Sequence, residues 1–207
     1  MMNMEVDIIR PDNYGWIATK LSSESMDFLW KCIDNKKGDY RSHLAGNISE
    51  SYQIEDENGW FSGNVIRQLL KKYEESFGNM AKSIPTTKSH PFSLHGFWVN
   101  YQKKHEFNPI HAHGGTLSSV IMIDVPEEIA KEVNSLDYET NMPCPGQLEF
   151  IDGPTSYLCP GTYKVVPKTG DIFIFPAELK HTVYPFTSDV ERVTMSFNVF
   201  DIEKIYD

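Results

Sequence analysis

Beyond residue 93 the chain breaks into short runs of strand-forming residues, at 94–101, 117–125, 147–151, 162–166, 171–175, 182–185 and 192–200, punctuated by Gly and Pro. A strand of this length cannot bury its apolar side chains alone, so the series predicts a sandwich or barrel. The stretch 126–141, with Glu127, Glu128, Lys131 and Glu132, interrupts the rhythm and reads as a short helical insertion or a loop between strands.

The first 90 residues have a different character. Ser22 or Ser23 is placed to cap a helix bearing Met26, Leu29, Trp30 and Ile33 at helical spacing, with Gly38 just past its end. After Ser62, the residues Ile66, Leu69, Leu70, Tyr73, Phe77 and Met80 recur at intervals of three and four, with Lys71, Lys72, Glu74 and Glu75 on the other face. That stripe predicts a second helix packed on something apolar. Between them, 44–48 and the acidic Glu50, Glu55, Asp56 and Glu57 read as loop. The expected organisation is one domain over 1–207, mainly β, in which a mixed helical part (1–92) packs on a β core (93–207).

With 207 residues the chain is long enough to bury roughly two thirds of its unfolded surface, so the core needs no disulfide or structural zinc. Disorder as the main state is excluded by a 40% hydrophobic content. Nineteen basic against 29 acidic side chains give a charge of −10, and the Lys and Arg residues are scattered. Such a surface repels phosphate backbones, so nucleic acid is not expected as a primary partner. Cys32, Cys144 and Cys159 form neither a close pair nor an even set, which suits reduced thiols. Glu5 and Asp7 interrupt the N-terminus where a signal peptide needs an apolar stretch, and no window approaches the ~18 apolar residues of a membrane span. A cytoplasmic protein with no membrane partner is expected; composition leaves the oligomeric state open.

His111 and His113 stand two apart just before the run at 117–125. In extended backbone such residues share a face, so their imidazoles can converge on one ion. A third ligand would come from a distant strand, and His181, five positions after Pro176, is the candidate. On its own, a His-x-His pair is more often a surface or core coincidence than a metal site. Arg192, Thr194, Ser196 and Asn198 alternate with Val193, Met195, Phe197 and Val199, giving the last strand one polar face. That face is either solvated or the wall of a pocket. If buried near a metal, Arg192 needs an anion, and a dicarboxylate chelating the metal by its other end would supply one. If exposed, it pairs with Asp189 or Glu191.

Taken together these residues resemble the 2-oxoglutarate- and Fe(II)-dependent oxygenases, in particular small members often encoded by marine bacteriophages and, more distantly, the prolyl 4-hydroxylase group. The resemblance runs from Phe97 to Asn198 and is carried by FNPIHAH (107–113), LSSV (117–120), GDIFIFP (170–176) with Leu179 and His181, and the strand 192–198. The stretch 44–48 also looks like the phage-type members. The resemblance implies a double-stranded β-helix (jelly roll) in which His111, His113 and His181 hold Fe(II). It also implies that Arg192 grips the distal carboxylate of the cosubstrate 2-oxoglutarate, helped by Thr194 and a tyrosine such as Tyr101. The implied activity couples oxidative decarboxylation of 2-oxoglutarate by O2 to hydroxylation of a small-molecule or peptide substrate.

One departure stands out: the commonest family pattern is His-x-Asp, and this chain has His113 where the Asp would stand. Three neutral imidazoles suit zinc as well as iron. Two other readings fit parts of the pattern. A cupin-type dioxygenase or isomerase also uses His-x-His, but usually carries a Glu shortly after it, and 114–120 has none. A non-catalytic jelly-roll binding module would have structural histidines, no metal and no use for Arg192. Substrate choice is expected in the loops at 46–59 and 137–144. Trp98 and Asn100 alternate with Phe97 and Val99, so both can face the pocket, though core packing is the expected role of Trp98.

Overall fold

A computed structural model describes residues 15–77, 92–135, 141–153 and 160–201. In chain order the strands are β1 (Ile17–Lys20), β2 (Glu50–Gln53), β3 (Phe92–Gln102), β4 (Asn108–His111), β5 (Leu117–Asp124), β6 (Leu148–Ile151), β7 (Thr162–Val165), β8 (Asp171–Pro176), β9 (Lys180–Val183) and β10 (Arg192–Asp201). The helices are α1 (Ser23–Asp34), α2 (Arg67–Phe77) and α3 (Glu127–Val133). Among the described residues, six strands form one antiparallel sheet in the order β1-β8-β5-β10-β3-β2, and four form a second in the order β4-β9-β6-β7. This is the expected mainly β, double-stranded β-helix architecture.

Alternation along the central strands builds two cores. On β10, Val193, Met195, Phe197 and Val199 point to the outer side of the large sheet, where Phe97 and Val99 of β3 join Leu29 and Ile33 of α1 and Leu70 and Tyr73 of α2. Phe61, fully buried, stacks parallel to Phe97 at 6.2 Å and meets Phe197 edge-on at 6.4 Å. Met122, Phe173 and Phe175 of the large sheet meet Leu148 and Phe150 of the small sheet in the second core. Aliphatic residues make up most of the first core and aromatics half of the second, and each fully buried aromatic contributes on the order of 2–3 kcal/mol of transfer free energy.

The helices form largely where the periodicity places them. Ser22 is the N-cap of α1, its Oγ accepting from Ser25 N at 3.2 Å. The second helix departs from expectation at its start. The carboxylate of Asp56, not Ser62, receives the orphan N–H groups of Phe61 and Ser62, both at 2.8 Å. A wide turn then runs over Ser62–Ile66, with Arg67 N bonding Ser62 O, before regular α2 begins. Met80, the last residue of the expected stripe, lies outside the described residues. The insertion after β5 is helical, as α3.

Three strands escaped the sequence reading. Two of them, β1 and β2, are four-residue edges of the large sheet with polar and mixed faces, so neither shows an alternating signal. The third, β4, contains Pro109 and edges the small sheet. The run expected at 182–185 lies two residues earlier, because Ile151 and Phe150 pair with Lys180 and His181. No described helix is long and apolar enough to cross a membrane. Of the thiols, Cys32 is buried, Cys144 is half-buried, and Cys159 lies outside the described residues.

Candidate metal centre

The polar faces of β3 and β10 line one cavity of about 140 Å³ between the two sheets. Trp98, Asn100 and Gln102 come from β3, and Arg192, Thr194, Ser196 and Asn198 from β10. The antiparallel register sets Arg192 against Gln102, Thr194 against Asn100 and Ser196 against Trp98. The polar face of the last strand is therefore a pocket wall and not a solvated surface.

Opposite this wall stand the three histidines. His111 ends β4 and pairs directly with His181 of β9, which brings together side chains 70 positions apart. His113 follows β4, its backbone held by the bond from His113 N to Ala177 O at 2.8 Å. The ligand atoms of all three lie within 4.8 Å of one another. The Nε2 atoms of His113 and His181 are 3.3 Å apart, the spacing of adjacent ligands on a metal with bonds of roughly 2.1 Å.

Two of these rings are oriented from behind. His111 Nδ1 lies 2.7 Å from the carbonyl of Pro109, and His181 Nδ1 lies 2.9 Å from that of Leu179. A carbonyl accepts only from a protonated nitrogen, so Nδ1 carries the hydrogen and Nε2 keeps its lone pair for an ion. Burial, with the charge of neighbouring His111 adding to it, lowers His113 to about 4 and His181 to about 3, and burial lowers His111 as well. All three imidazoles are therefore neutral at pH 7, as metal binding requires. The donor set fits a divalent transition metal.

Arg192 lines the same cavity and is 1% exposed. It does not pair with Asp189, which binds Lys104 at 2.9 Å, and no ion pair of Arg192 is found among the described residues. Its Nη1 donates to Gly146 O and its Nη2 to Gln102 Oε1, while Nε has no partner.

Tyr101 is not brought to the site. Side chains alternate along β3, so the cavity receives Asn100 and Gln102 and the opposite face receives Tyr101, which packs on the helix-side core near Tyr52, with Lys36 Nζ 5.5 Å from its ring centre. Gln102 occupies the place beside Arg192 that the resemblance suggested for a tyrosine. Trp98 combines both roles considered for it: it is 4% exposed yet lines the cavity, with its Nε1 unpartnered.

The remaining wall comes from residues 40–48, where Tyr40, His43, Leu44, Ala45 and Ile48 line the cavity. Tyr40 stacks on Trp98 at 5.1 Å and lies tilted against His43 at 4.8 Å. Tyr40 and His43 precede the loop expected to choose the substrate, and no sequence motif marks them. The segment is seated by Asn47 N bonding Phe107 O at 2.9 Å and by Gly46, where a Cβ would collide with Asn108 Oδ1. Of the other expected loop, Cys144 lies away from this cavity and 137–140 lie outside the described residues.

Residues 96–198, about half of the chain, match the family described as "Putative 2OG-Fe(II) oxygenase". The chain belongs to the 2OG-Fe(II) oxygenase family. The oxygenase is accordingly an enzyme whose cofactors are Fe(II) and 2-oxoglutarate, and the cupin and binding-module readings fall away. Its fold is similar to that of HygX from Streptomyces hygroscopicus, solved with nickel, 2-oxoglutarate and hygromycin B, at 10% identity and a TM-score of 0.57 over 92% of this chain and 84% of that one. It is also similar to a Trichoplax adhaerens prolyl hydroxylase in complex with a hypoxia-inducible-factor peptide, at 12% identity and a TM-score of 0.54 over 92% and 85% of the two chains. A Pseudomonas putida prolyl-4-hydroxylase follows at 15% identity and a TM-score of 0.54, over 91% and 93%. No curated protein matches the sequence.

Proposed function

We propose that the oxygenase is a hydroxylase in which His111, His113 and His181 hold Fe(II) and Arg192, with Thr194 beside it, receives the distal carboxylate of 2-oxoglutarate. The observation that carries this reading is Arg192: a buried cation without an acidic partner among the described residues, on the same cavity as three convergent neutral imidazoles. A guanidinium so placed needs an anion, and a dicarboxylate reaching from the metal to Arg192 satisfies both ends.

Bound iron and 2-oxoglutarate supply the oxidising chemistry, consuming O2 and releasing succinate and CO2. The protein's residues supply position. His111 and His181 present Nε2 because their Nδ1–H groups are bonded to the chain two residues back. His113 takes the place of the usual carboxylate and leaves the metal charge unreduced. Arg192, held by Gln102 and Gly146, orients the cosubstrate by a charge-assisted hydrogen bond. The wall at 40–48, with Tyr40 stacked on Trp98 and in contact with His43, stands where a substrate enters and excludes water from the reacting end. A peptide or small molecule is the substrate class in keeping with relatives that hold a peptide or hygromycin B.

The test is anaerobic titration of Fe(II)-loaded protein with 2-oxoglutarate, following the weak visible charge-transfer band. The band is expected in wild type, and Arg192→Ala is expected to keep iron while losing 2-oxoglutarate affinity by about 2–5 kcal/mol, roughly 30-fold or more. Normal affinity in that variant overturns the assignment.

A further inference from the structure

Arg192 is the largest fully buried side chain among the described residues, and every polar partner it has there is neutral. The usual way to hold such a cation is a carboxylate. The position for one exists: residue 102 is directly across the β10–β3 ladder, and its terminal oxygen accepts from Arg192 Nη2. A glutamate would fit that place with one atom changed, yet the chain has glutamine.

The amide's orientation follows from its surroundings. Gln102 Nε2 donates to the carbonyl of Glu106 at 2.5 Å, so Oε1 must face the guanidinium; turned round, two donors would meet. The second partner is equally built. Gly146 has φ of +63°, and a Cβ there would lie 2.2 Å from Ile129 Cγ2 of α3. Only glycine lets this backbone press against the helix and turn its carbonyl to Arg192 Nη1. The inserted helix thus buttresses one side of the guanidinium and Gln102 the other. Phe186 lies 5.8 Å beneath. Burial lowers the guanidinium to about 10 with no acidic neighbour opposing it, and it stays charged at neutral pH.

We propose that Gln102 is a positioning residue that holds Arg192 by a hydrogen bond without neutralising it, and so sets the enzyme's preference for a 2-oxo acid with a second carboxylate at its far end. The role rests on the reading of Arg192 given above. A neutral cradle aims the cation and leaves its charge for the cosubstrate; a carboxylate at 102 would aim it equally well and consume that charge.

The experiment compares wild type, Gln102→Glu, Gln102→Met and Arg192→Met, each loaded with Fe(II) under anaerobic conditions. Binding is measured for 2-oxoglutarate and for 2-oxopentanoate, which lacks the distal carboxylate, together with thermal unfolding of the metal-free proteins. Gln102→Glu is expected to weaken 2-oxoglutarate about tenfold or more, leave 2-oxopentanoate within about twofold, and unfold near the wild-type temperature, because the internal partner gained by the buried cation offsets the bond to the Glu106 carbonyl that residue 102 no longer donates. Gln102→Met is expected to unfold at a lower temperature and to weaken 2-oxoglutarate less than Gln102→Glu does, because the cation loses its aim but keeps its charge, so that 2-oxoglutarate is still preferred over 2-oxopentanoate. A purely structural role would move both ligands together and destabilise both variants. The proposal is overturned if Gln102→Glu keeps the wild-type preference, if both Gln102 variants lose it alike, or if Gln102→Glu fails to fold. Preference lost in Arg192→Met but kept in Gln102→Glu removes this proposal alone; preference kept in Arg192→Met removes the reading of Arg192 and this proposal with it.

Discussion

His181 stands directly opposite His111 in the β4–β9 ladder, with their ring centroids 4.3 Å apart. The backbone pairing of two short strands therefore sets the spacing of two of the three candidate ligands. Removing either imidazole by His111→Ala or His181→Ala is expected to abolish iron loading while the ladder persists. His113→Asp restores the family's usual carboxylate and is expected to retain iron. Iron per chain after anaerobic loading and desalting reads all three, and stoichiometric iron in His181→Ala would exclude that residue as a ligand.

The same histidines give the metal-free protein a pH dependence. His113 and His181 titrate at about 4 and about 3 in the folded protein, well below the unfolded value of roughly 6.5. Between these limits the unfolded chain binds protons that the folded one refuses, so stability falls as pH falls, by about 1.4 kcal/mol per pH unit for each histidine, and is flat with respect to them above pH 7. Unfolding of EDTA-treated protein between pH 7 and 4.5 measures the slope, and His181→Asn is expected to reduce it. An unchanged slope in that variant would show that His181 takes up its proton in the folded state.

Tyr101→Phe is expected to leave 2-oxoglutarate affinity unchanged within about twofold, because the side chain lies on the helix-side face of β3, whereas Trp98, Asn100 and Gln102 reach the cavity. The same titration used for Arg192 checks this. A tenfold loss would place Tyr101 among the cosubstrate's contacts.

Phe197 and Ser196 are neighbours on β10 with opposite duties. Phe197 is fully buried against Phe61 and Phe97, so Phe197→Ala is expected to cost about 3–5 kcal/mol of stability. Ser196 faces the cavity, and Ser196→Ala is expected to cost less than about 1 kcal/mol. Urea unfolding of the two variants separates core from site on a single strand.

Much of this was legible in the residues alone. Alternation marked β3 and β10, a run of strand-forming residues marked β5, and the last strand divided into an apolar face and a polar one. The spacing of His111 and His113, with His181 and Arg192 further along, made these residues candidates, and the family resemblance supplied the roles proposed for them. The four-residue strands β1, β2 and β4 were not legible, because an edge strand needs no apolar alternation to pair. Tyr101 was named from the resemblance alone, and the two-residue period of β3 turns it to the helix-side core instead.

Residue type and local period by themselves determined a mainly β fold, a polar strand face and a set of candidate ligands. The meeting of His111 with His181, the neutral pairing of Arg192 with Gln102, and the use of residues 40–48 as a wall were decided only when the strands paired. The reason is physical. Side-chain alternation is fixed within a strand, whereas register and sheet order depend on which partners, tens of residues away, bury the most apolar surface without orphaning a polar group.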